Sequence, residues 1–162
     1  MGTLSRITGR ITINPGITWH EFLDAASEPR PYPSQITTGD TRYYWDPSTP
    51  DTIITGAIAL EVDTRRALTD DGTETVRRTI TAIIPIPGGE RVKAYDIDSD
   101  IARVAREFCS ASGDDTRYFT GYLECTAEDD WKPRRWYVRS GLAVPASPEV
   151  TFTEPEGPAV GF

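Results

Sequence analysis

Two long runs of β-branched and apolar residues lie next to each other in the middle of the sequence and most constrain its fold. Residues 52–66 (TIITGAIALEVDTRR) and 73–86 (TETVRRTITAIIPI) flank the segment Asp70-Asp71-Gly72. An Asp-Gly pair before a β-branched run is a strong signal for a hairpin turn. We therefore predict a long antiparallel hairpin, with Arg65-Arg66 and Arg77-Arg78 near the turn in a solvated ladder of charges.

The N-terminal segment predicts a strand followed by a short helix. Residues 4–14 alternate with a period of two and are followed by Pro15-Gly16, which is typical of a half-buried strand. Thr18 and Glu21 have the spacing of a capping box. A helix is therefore predicted to run to about residue 26, with one buried stripe formed by Trp19, Phe22, Leu23 and Ala26.

A second helix and further strands are predicted in the C-terminal half. The acidic segment 96–100 can cap a helix whose apolar stripe ends before Gly113. Residues 117–126 and 134–139 have the pattern of strands, and Ser140-Gly141 is predicted to turn the chain back.

The order of these elements favours an α+β fold. We expect an antiparallel sheet of about five to six strands with two helices packed on one face. A length of 162 residues fits one domain, which we place at residues 1–144. Residues 145–162 are rich in Pro and Glu, and we expect this tail to pack poorly and to be flexible.

Residues 27–51 interrupt the regular elements and are expected to form a long loop. The segment holds five of the 13 prolines, and long irregular connections are uncommon in compact domains. Two interpretations stay open. The loop is packed by its own aromatic side chains, or it is a recognition loop in which Tyr43, Tyr44 and Trp45 contact a partner.

The charge, the apolar pattern and the cysteines of the chain limit the kinds of partner and the cellular location that we expect. A net charge of −8 disfavours binding to nucleic acids and to anionic membranes. The sequence has no run of 18 apolar residues, and its N-terminus lacks the solid apolar core of a signal peptide. Cys109 and Cys125 are the only cysteines, and we expect two buried free thiols in a reducing cytoplasm.

No motif identifies a reaction, so the sequence predicts no catalytic residue, no metal site and no cofactor. His20 is the only histidine, and we expect it to pack in the first helix or to lie on its surface. Glu124 and the acids at 128–130 form the best acidic cluster. A hard cation could bind there, but a solvated hairpin tip is the simpler interpretation.

The segment Trp131-Lys-Pro-Arg-Arg-Trp136 is the strongest candidate for a partner contact. Tryptophan and arginine are enriched among the residues that dominate protein interfaces. We therefore predict Trp131, Arg134 and Arg135 as partner-binding residues, in addition to the three aromatic residues at 43–45. The alternative is internal, with Trp136 in the core and Arg134 or Arg135 paired to acids on the neighbouring strand.

Four short motifs carry a family resemblance: PGITWHE at 15–21, ERVKAYD at 90–96, FTGYLEC at 119–125 and RWYVRSG at 135–141. They resemble a family of small uncharacterised proteins of actinobacteria, notably streptomycetes, and of their phages. The likeness excludes the segment 27–51 and the tail, and the acidic turn departs from the Gly-Glu-Glu type of run in that family. The resemblance implies no known activity, cofactor or site, and it favours a phage or accessory bacterial gene.

We therefore expect a non-catalytic cytoplasmic domain that binds a protein, such as a phage or accessory bacterial factor acting on a host protein. One alternative is a small ligand-binding domain or carboxylate enzyme, with a site formed by Glu124 and residues 32–45. Another is a structural phage component that forms a symmetric oligomer. The sequence sets neither the partner nor the oligomeric state.

Overall fold

One antiparallel sheet and two helices make up the part of the chain that the computed structural model describes, which is residues 4–25, 28–30, 34–38, 41–88, 92–93, 96–109, 116–129 and 132–149. In chain order the elements are β1 (Leu4–Thr18), α1 (Trp19–Ala25), β2 (Glu28–Arg30), β3 (Ser34–Thr38), β4 (Thr41–Trp45), β5 (Thr52–Thr55), β6 (Ile58–Leu68), β7 (Glu74–Pro85), β8 (Val92–Lys93), α2 (Ile97–Glu107), β9 (Tyr118–Ala127), β10 (Arg134–Arg139) and β11 (Leu142–Ala146).

The sheet is larger than the sequence predicted. Its strand order is β11-β10-β9-β1-β7-β6-β5-β4-β3-β2, and β8 pairs with β1 off this path. Eight of its eleven strands have five residues or more. The α+β class is confirmed, but the expected five to six strands are wrong because several short segments also join the sheet.

The predicted loop at 27–51 is the main source of this difference. Its described residues form β2, β3 and β4, with a turn at 46–51 leading into β5. Pro29 lies in β2, the last strand on this side of the sheet, where a missing N–H removes no ladder bond from a central strand. The aromatic residues at 43–45 favour strand structure.

The central hairpin is confirmed. β6 pairs with β7 from Ile58 opposite Pro85 to Leu68 opposite Glu74. The turn between them is closed by a hydrogen bond from the Gly72 N–H to the Thr69 carbonyl, at 2.9 Å. Gly72 has a φ of +83°, which is the left-handed conformation that the Asp-Gly signal predicts.

Both helices form, but their ends differ from expectation. The Glu21 N–H donates to Thr18 Oγ1 at 3.1 Å, which is one half of the predicted capping box. Phe22 is buried, whereas Leu23 is exposed, so Leu23 was wrongly assigned to the buried stripe. At the start of α2, Asp96 makes no side-chain capping bond. Asp100 is instead buried, where it accepts the Ala57 N–H at 2.9 Å.

The hydrophobic core lies on one face of the sheet, beneath both helices. Inward side chains of β1, β6, β7 and β9 join one cluster with the apolar stripe of α2. Phe22 of α1 and Phe108 after α2 also belong to this cluster, with ring centroids 6.0 Å apart. Both helices therefore cover the same face of the sheet.

Two further expectations need correction. Cys109 is exposed and Cys125 is half-buried, so the free thiols are not both in the core. β1 does not end before Pro15-Gly16 but continues to Thr18. The pairing of β1 with β7 shifts register between Thr12 and Ile17, and this irregularity accommodates Pro15 and Gly16 within the strand. At the other end β11 extends past residue 144 to Ala146, and residues 150–162 lie outside the described part.

In the described ranges we find no helix with the length and apolar character needed to span a membrane.

Candidate functional site

The outer face of β9, β10 and β11 carries a row of arginine and tyrosine side chains. Successive residues of a strand point to opposite faces, and Leu123, Trp136 and Val138 enter the core. Their sequence neighbours therefore lie on the outer face. We call this set the arginine–tyrosine face; it consists of Tyr122, Glu124, Arg135, Tyr137, Arg139, Leu142 and Val144.

A tight turn fixes how two of these strands align. Ser140 and Gly141 have φ values of +51° and +72°, and two positive φ values are typical of a two-residue type I′ hairpin turn. The turn places Arg139 opposite Leu142 and Tyr137 opposite Val144. Polar and apolar side chains therefore alternate across the face and are held by the backbone register.

The charged and aromatic groups of this face hold one another in place. Arg135 Nε donates to Glu124 Oε1 at 3.1 Å, and its guanidinium carbon lies 4.2 Å from the Tyr122 ring centroid. The bond to Glu124 raises the pKa of Arg135. Tyr122 and Tyr137 have ring centroids 5.4 Å apart, and Arg139 lies 5.5 Å from the Tyr137 ring. Mutual contacts of this kind reduce the conformational entropy that binding would cost.

Apolar surface borders this network. Leu142 is 58% exposed and Val144 is 39% exposed. Both lie on β11, which ends the sheet, and its outer edge pairs with no other strand of the described residues. An unpaired edge next to exposed apolar side chains is a surface suited to binding another chain.

The structure separates the two arginines predicted as one contact. Arg135 belongs to the arginine–tyrosine face, whereas Arg134 lies on the other side of β10, with its guanidinium 5.8 Å from the Trp136 ring. Trp136 is buried and Arg135 pairs with Glu124, so both features of the internal alternative are present. Trp131 lies outside the described residues.

The aromatic residues of β4 are far from β10 in the sheet, with β5, β6, β7, β1 and β9 between them. Tyr43 is completely buried and its hydroxyl donates to Glu107 Oε2 at 2.9 Å. Trp45 packs on Trp19 with ring centroids 5.0 Å apart, and its Nε1 donates to the Pro50 carbonyl. Tyr44 is exposed. The five predicted contact residues that the structure describes therefore do not form one patch.

Tyr122, Tyr137 and Arg139 were missed as contact candidates. The usable signal was the period-two alternation along 118–124 and 135–139, because an inward Trp136 forces its neighbours outward. Leu142 and Val144 were missed because they precede the proline-rich tail.

The structure does not bring Glu124 together with residues 34–38 and 41–45, the described part of the segment considered for a carboxylate site. Glu124 is paired with Arg135 on the outer face, remote from β4. Glu128 and Asp129 are exposed, and Asp130 lies outside the described residues. Within the ranges that the structure covers, no three His, Cys, Asp or Glu side chains are placed to hold a metal ion. His20 is exposed on α1 and its Nε2 lies 3.0 Å from Asp24 Oδ2.

A cleft of about 540 Å³ lies on the inner side, at the start of α2. Asp96 and Asp98 line it together with Lys132, Arg134 and Trp136. The cleft therefore brings two carboxylates and two cations to one concave surface.

Comparison with known proteins identifies a family without a known role. A family model described as "Family of unknown function (DUF6205)" matches residues 1–155. No curated protein and no solved structure matches the chain.

Proposed function

Since the chain belongs to the DUF6205 family, whose function is unknown, we propose a role from its surface: a non-catalytic domain that binds another protein. The observation that supports this proposal is the arginine–tyrosine face. Arginine and tyrosine are enriched at the centres of protein interfaces, where lysine is depleted. Among the described residues, this row of side chains beside a strand edge that no described strand covers is the surface best suited to bind a protein.

The chemistry of the face defines the partner. Arg135 and Arg139 exceed the single acid Glu124, although the whole chain carries a net charge of −8. The partner surface therefore combines carboxylates for the arginines with apolar or aromatic groups for Leu142, Val144 and the tyrosines. The resemblance to actinobacterial and phage proteins favours a host protein as this partner and the cytoplasm as the location.

The proposal is tested with full-length tagged protein in actinobacterial host lysate. The variant Tyr137→Ser/Arg139→Glu changes the face, and Arg65→Glu is a matched control on an exposed arginine elsewhere. We expect one stoichiometric partner that the control retains and that the double variant loses by about tenfold or more, as for interface hot spots. Circular dichroism and urea unfolding must be unchanged for both variants.

Two results would contradict the proposal. One is equal recovery of the partner by the wild type and by Tyr137→Ser/Arg139→Glu. The other is saturable turnover of a substrate by the purified protein, abolished by a single carboxylate substitution.

The cleft at the start of α2 supports a second candidate, a small ligand-binding domain. Its volume falls in the range of about 300–1,000 Å³ that is typical of ligand sites. The opposed acids and bases suit a zwitterionic molecule. Native mass spectrometry of the purified chain tests this, since a retained small molecule should be lost from Arg134→Ala.

A further inference from the structure

The end of the central hairpin extends beyond the rest of the sheet. β1 pairs with β7 only as far as Thr79, and β5 pairs with β6 only as far as Glu61. Between these limits residues 65–77 pair only with one another among the described residues, and every one of them is exposed. We call residues 65–77 the arm. Isolated two-stranded hairpins are marginally stable, so an exposed arm gains stability from any chain that covers it.

The arm carries apolar side chains on the face that continues the core. Val62 and Ile80 are buried opposite each other, and the same face continues outward through Val76 and Leu68. Val76 is 44% exposed and Leu68 is 76% exposed. The helices do not cover Val76 and Leu68. The helical residue Trp19 lies with Trp45 and Arg78 in a cluster at the base of the arm. The apolar strip therefore continues past the helices that cover it elsewhere.

The charges of the arm are arranged as a dipole. Arg65, Arg66 and Arg77 lie near its base, and Asp70, Asp71 and Glu74 lie at or near its tip. Three bases and three acids give no net charge, in a chain with a net charge of −8. Arg65 and Arg77 also lie directly opposite each other, and Asp63 Oδ2 lies 3.0 Å from Arg65 Nε, so this pair of like charges has one anion beside it at the base of the arm.

We propose that the arm is the contact between two copies of this chain, packed antiparallel about a two-fold axis with the tip of each arm against the base of the other. A two-fold axis brings identical surfaces together in opposite directions, so the acidic tip of one copy meets the basic base of its partner. The unpaired strand edges supply backbone donors and acceptors, and Leu68 and Val76 supply apolar contact.

A second copy fits this surface better than another partner. A neutral, dipolar arm complements itself, whereas the remaining surface of the chain is acidic and repels an acidic partner as a whole. The contact is small. Two paired strands of about five residues, each residue adding about 3.4 Å of length, give a face on the order of 200 Å². Stable interfaces bury about 800 Å² per partner, which is well above this area. We therefore expect a weak dimer that depends on protein concentration and salt.

The test is sedimentation equilibrium of the full chain from about 10 µM to about 1 mM, a range that covers weak association. The wild type should form dimers at the upper end, and about 1 M NaCl should weaken them. Arg65→Glu/Arg66→Glu leaves Arg77 as the only base among residues 65–77, and Asp70→Lys/Glu74→Lys leaves Asp71 as the only acid among them. Each variant alone should be monomeric, whereas an equimolar mixture should form a heterodimer.

Arg139→Glu is the matched control, because it changes the arginine–tyrosine face and leaves the arm intact. It should dimerise as the wild type does, so this test is independent of the proposed function. Wild-type protein that stays monomeric at about 1 mM, dimers that both arm variants retain, or a mixture that does not restore dimers would each overturn the proposal. Circular dichroism verifies that every variant is folded.

Discussion

Arg117 joins four separate segments of the chain through one buried guanidinium group. Its Nη1 and Nη2 each donate to the Glu21 carboxylate at 2.8 Å. Its Nε donates to the Pro15 carbonyl at 2.8 Å, and Nη1 also donates to the Phe108 carbonyl at 3.0 Å. The fork of donors therefore connects β1, α1, the end of α2 and the approach to β9. It also explains why Glu21 does not complete the capping box.

Replacing this arginine should destabilise the fold strongly. Arg117→Lys keeps the charge but loses the planar fork, and removing one partner of a buried ion pair costs about 3–5 kcal/mol. We expect Arg117→Ala to lose this much free energy of unfolding and Arg117→Lys to lose most of it, measured by urea denaturation. Arg65→Ala, at an exposed ion pair, should change it by less than about 1 kcal/mol. Equal effects at both positions would refute this role for Arg117.

At the scale of elements, two glycines allow β1 and β9 to pair closely. Gly9 and Gly121 have φ values of +103° and +104° in the middle of their strands. A Cβ on Gly9 would lie 2.4 Å from the Tyr122 carbonyl oxygen, and a Cβ on Gly121 would lie 2.3 Å from that of Arg10. Gly121 directly precedes Tyr122, so this contact also sets the position of the arginine–tyrosine face.

Gly121→Ala should therefore be costly, whereas a glycine in open space should not. The substitution adds backbone strain of about 1–3 kcal/mol and a steric overlap with the backbone of β1, and we expect a loss of at least about 2 kcal/mol. Gly72 also has a positive φ but no atom within 4 Å of its Cβ position. Gly72→Ala isolates the strain alone and should cost less. If thermal unfolding ranks the two variants in the opposite order, the close approach of β1 and β9 does not matter for stability.

Elements with a strong local signal were predictable from the sequence, and elements defined by distant pairing were not. The Asp-Gly turn and the stripe of α2 come from nearby residues, and both are present. The prediction of a loop at 27–51 is wrong because a high density of proline does not exclude strands, and an edge strand tolerates Pro29. β1 pairs with residues of β7 that are 61–72 positions away and with residues of β9 that are 104–122 positions away, and no local pattern encodes that choice.

At the scale of the whole molecule, most of the candidate site could not be predicted for the same reason: it depends on pairing between strands that are distant in the sequence. Arg135 was predicted as a contact, but its side-chain partners Glu124 and Tyr122 come from β9, whose place beside β10 depends on the complete sheet order. Tyr43 and Trp45 were predicted from composition alone, and the fold uses both for packing. The outward side chains of one strand could be predicted from its alternation, whereas a face assembled from three strands could not.

The whole molecule also sets how stability depends on pH. With a net charge of −8 and a pI near 4.7, acidification from neutral pH first relieves repulsion among carboxylates. Two carboxylates act in the opposite sense. Bonds from Thr69 and Thr73 lower the pKa of Asp71 from its ordinary 3.8 to about 2, and the bidentate pair with Arg10 lowers the pKa of Glu61.

A carboxyl group with a depressed pKa in the folded state stabilises the fold above its unfolded pKa, and this contribution is lost as pH falls through the folded value. We therefore expect the free energy of unfolding to hold or rise from pH 7 to about 5 and to fall between about pH 4 and 2. Asp71→Asn should flatten that fall, and Asp70→Asn, at the adjacent acid of the same turn, is the matched control. Urea titrations at each pH measure the free energy of unfolding of the three proteins. A fall of the same steepness in Asp71→Asn and in the wild type would show that the turn carboxylate does not cause it, because in the asparagine variant no proton can bind at that position.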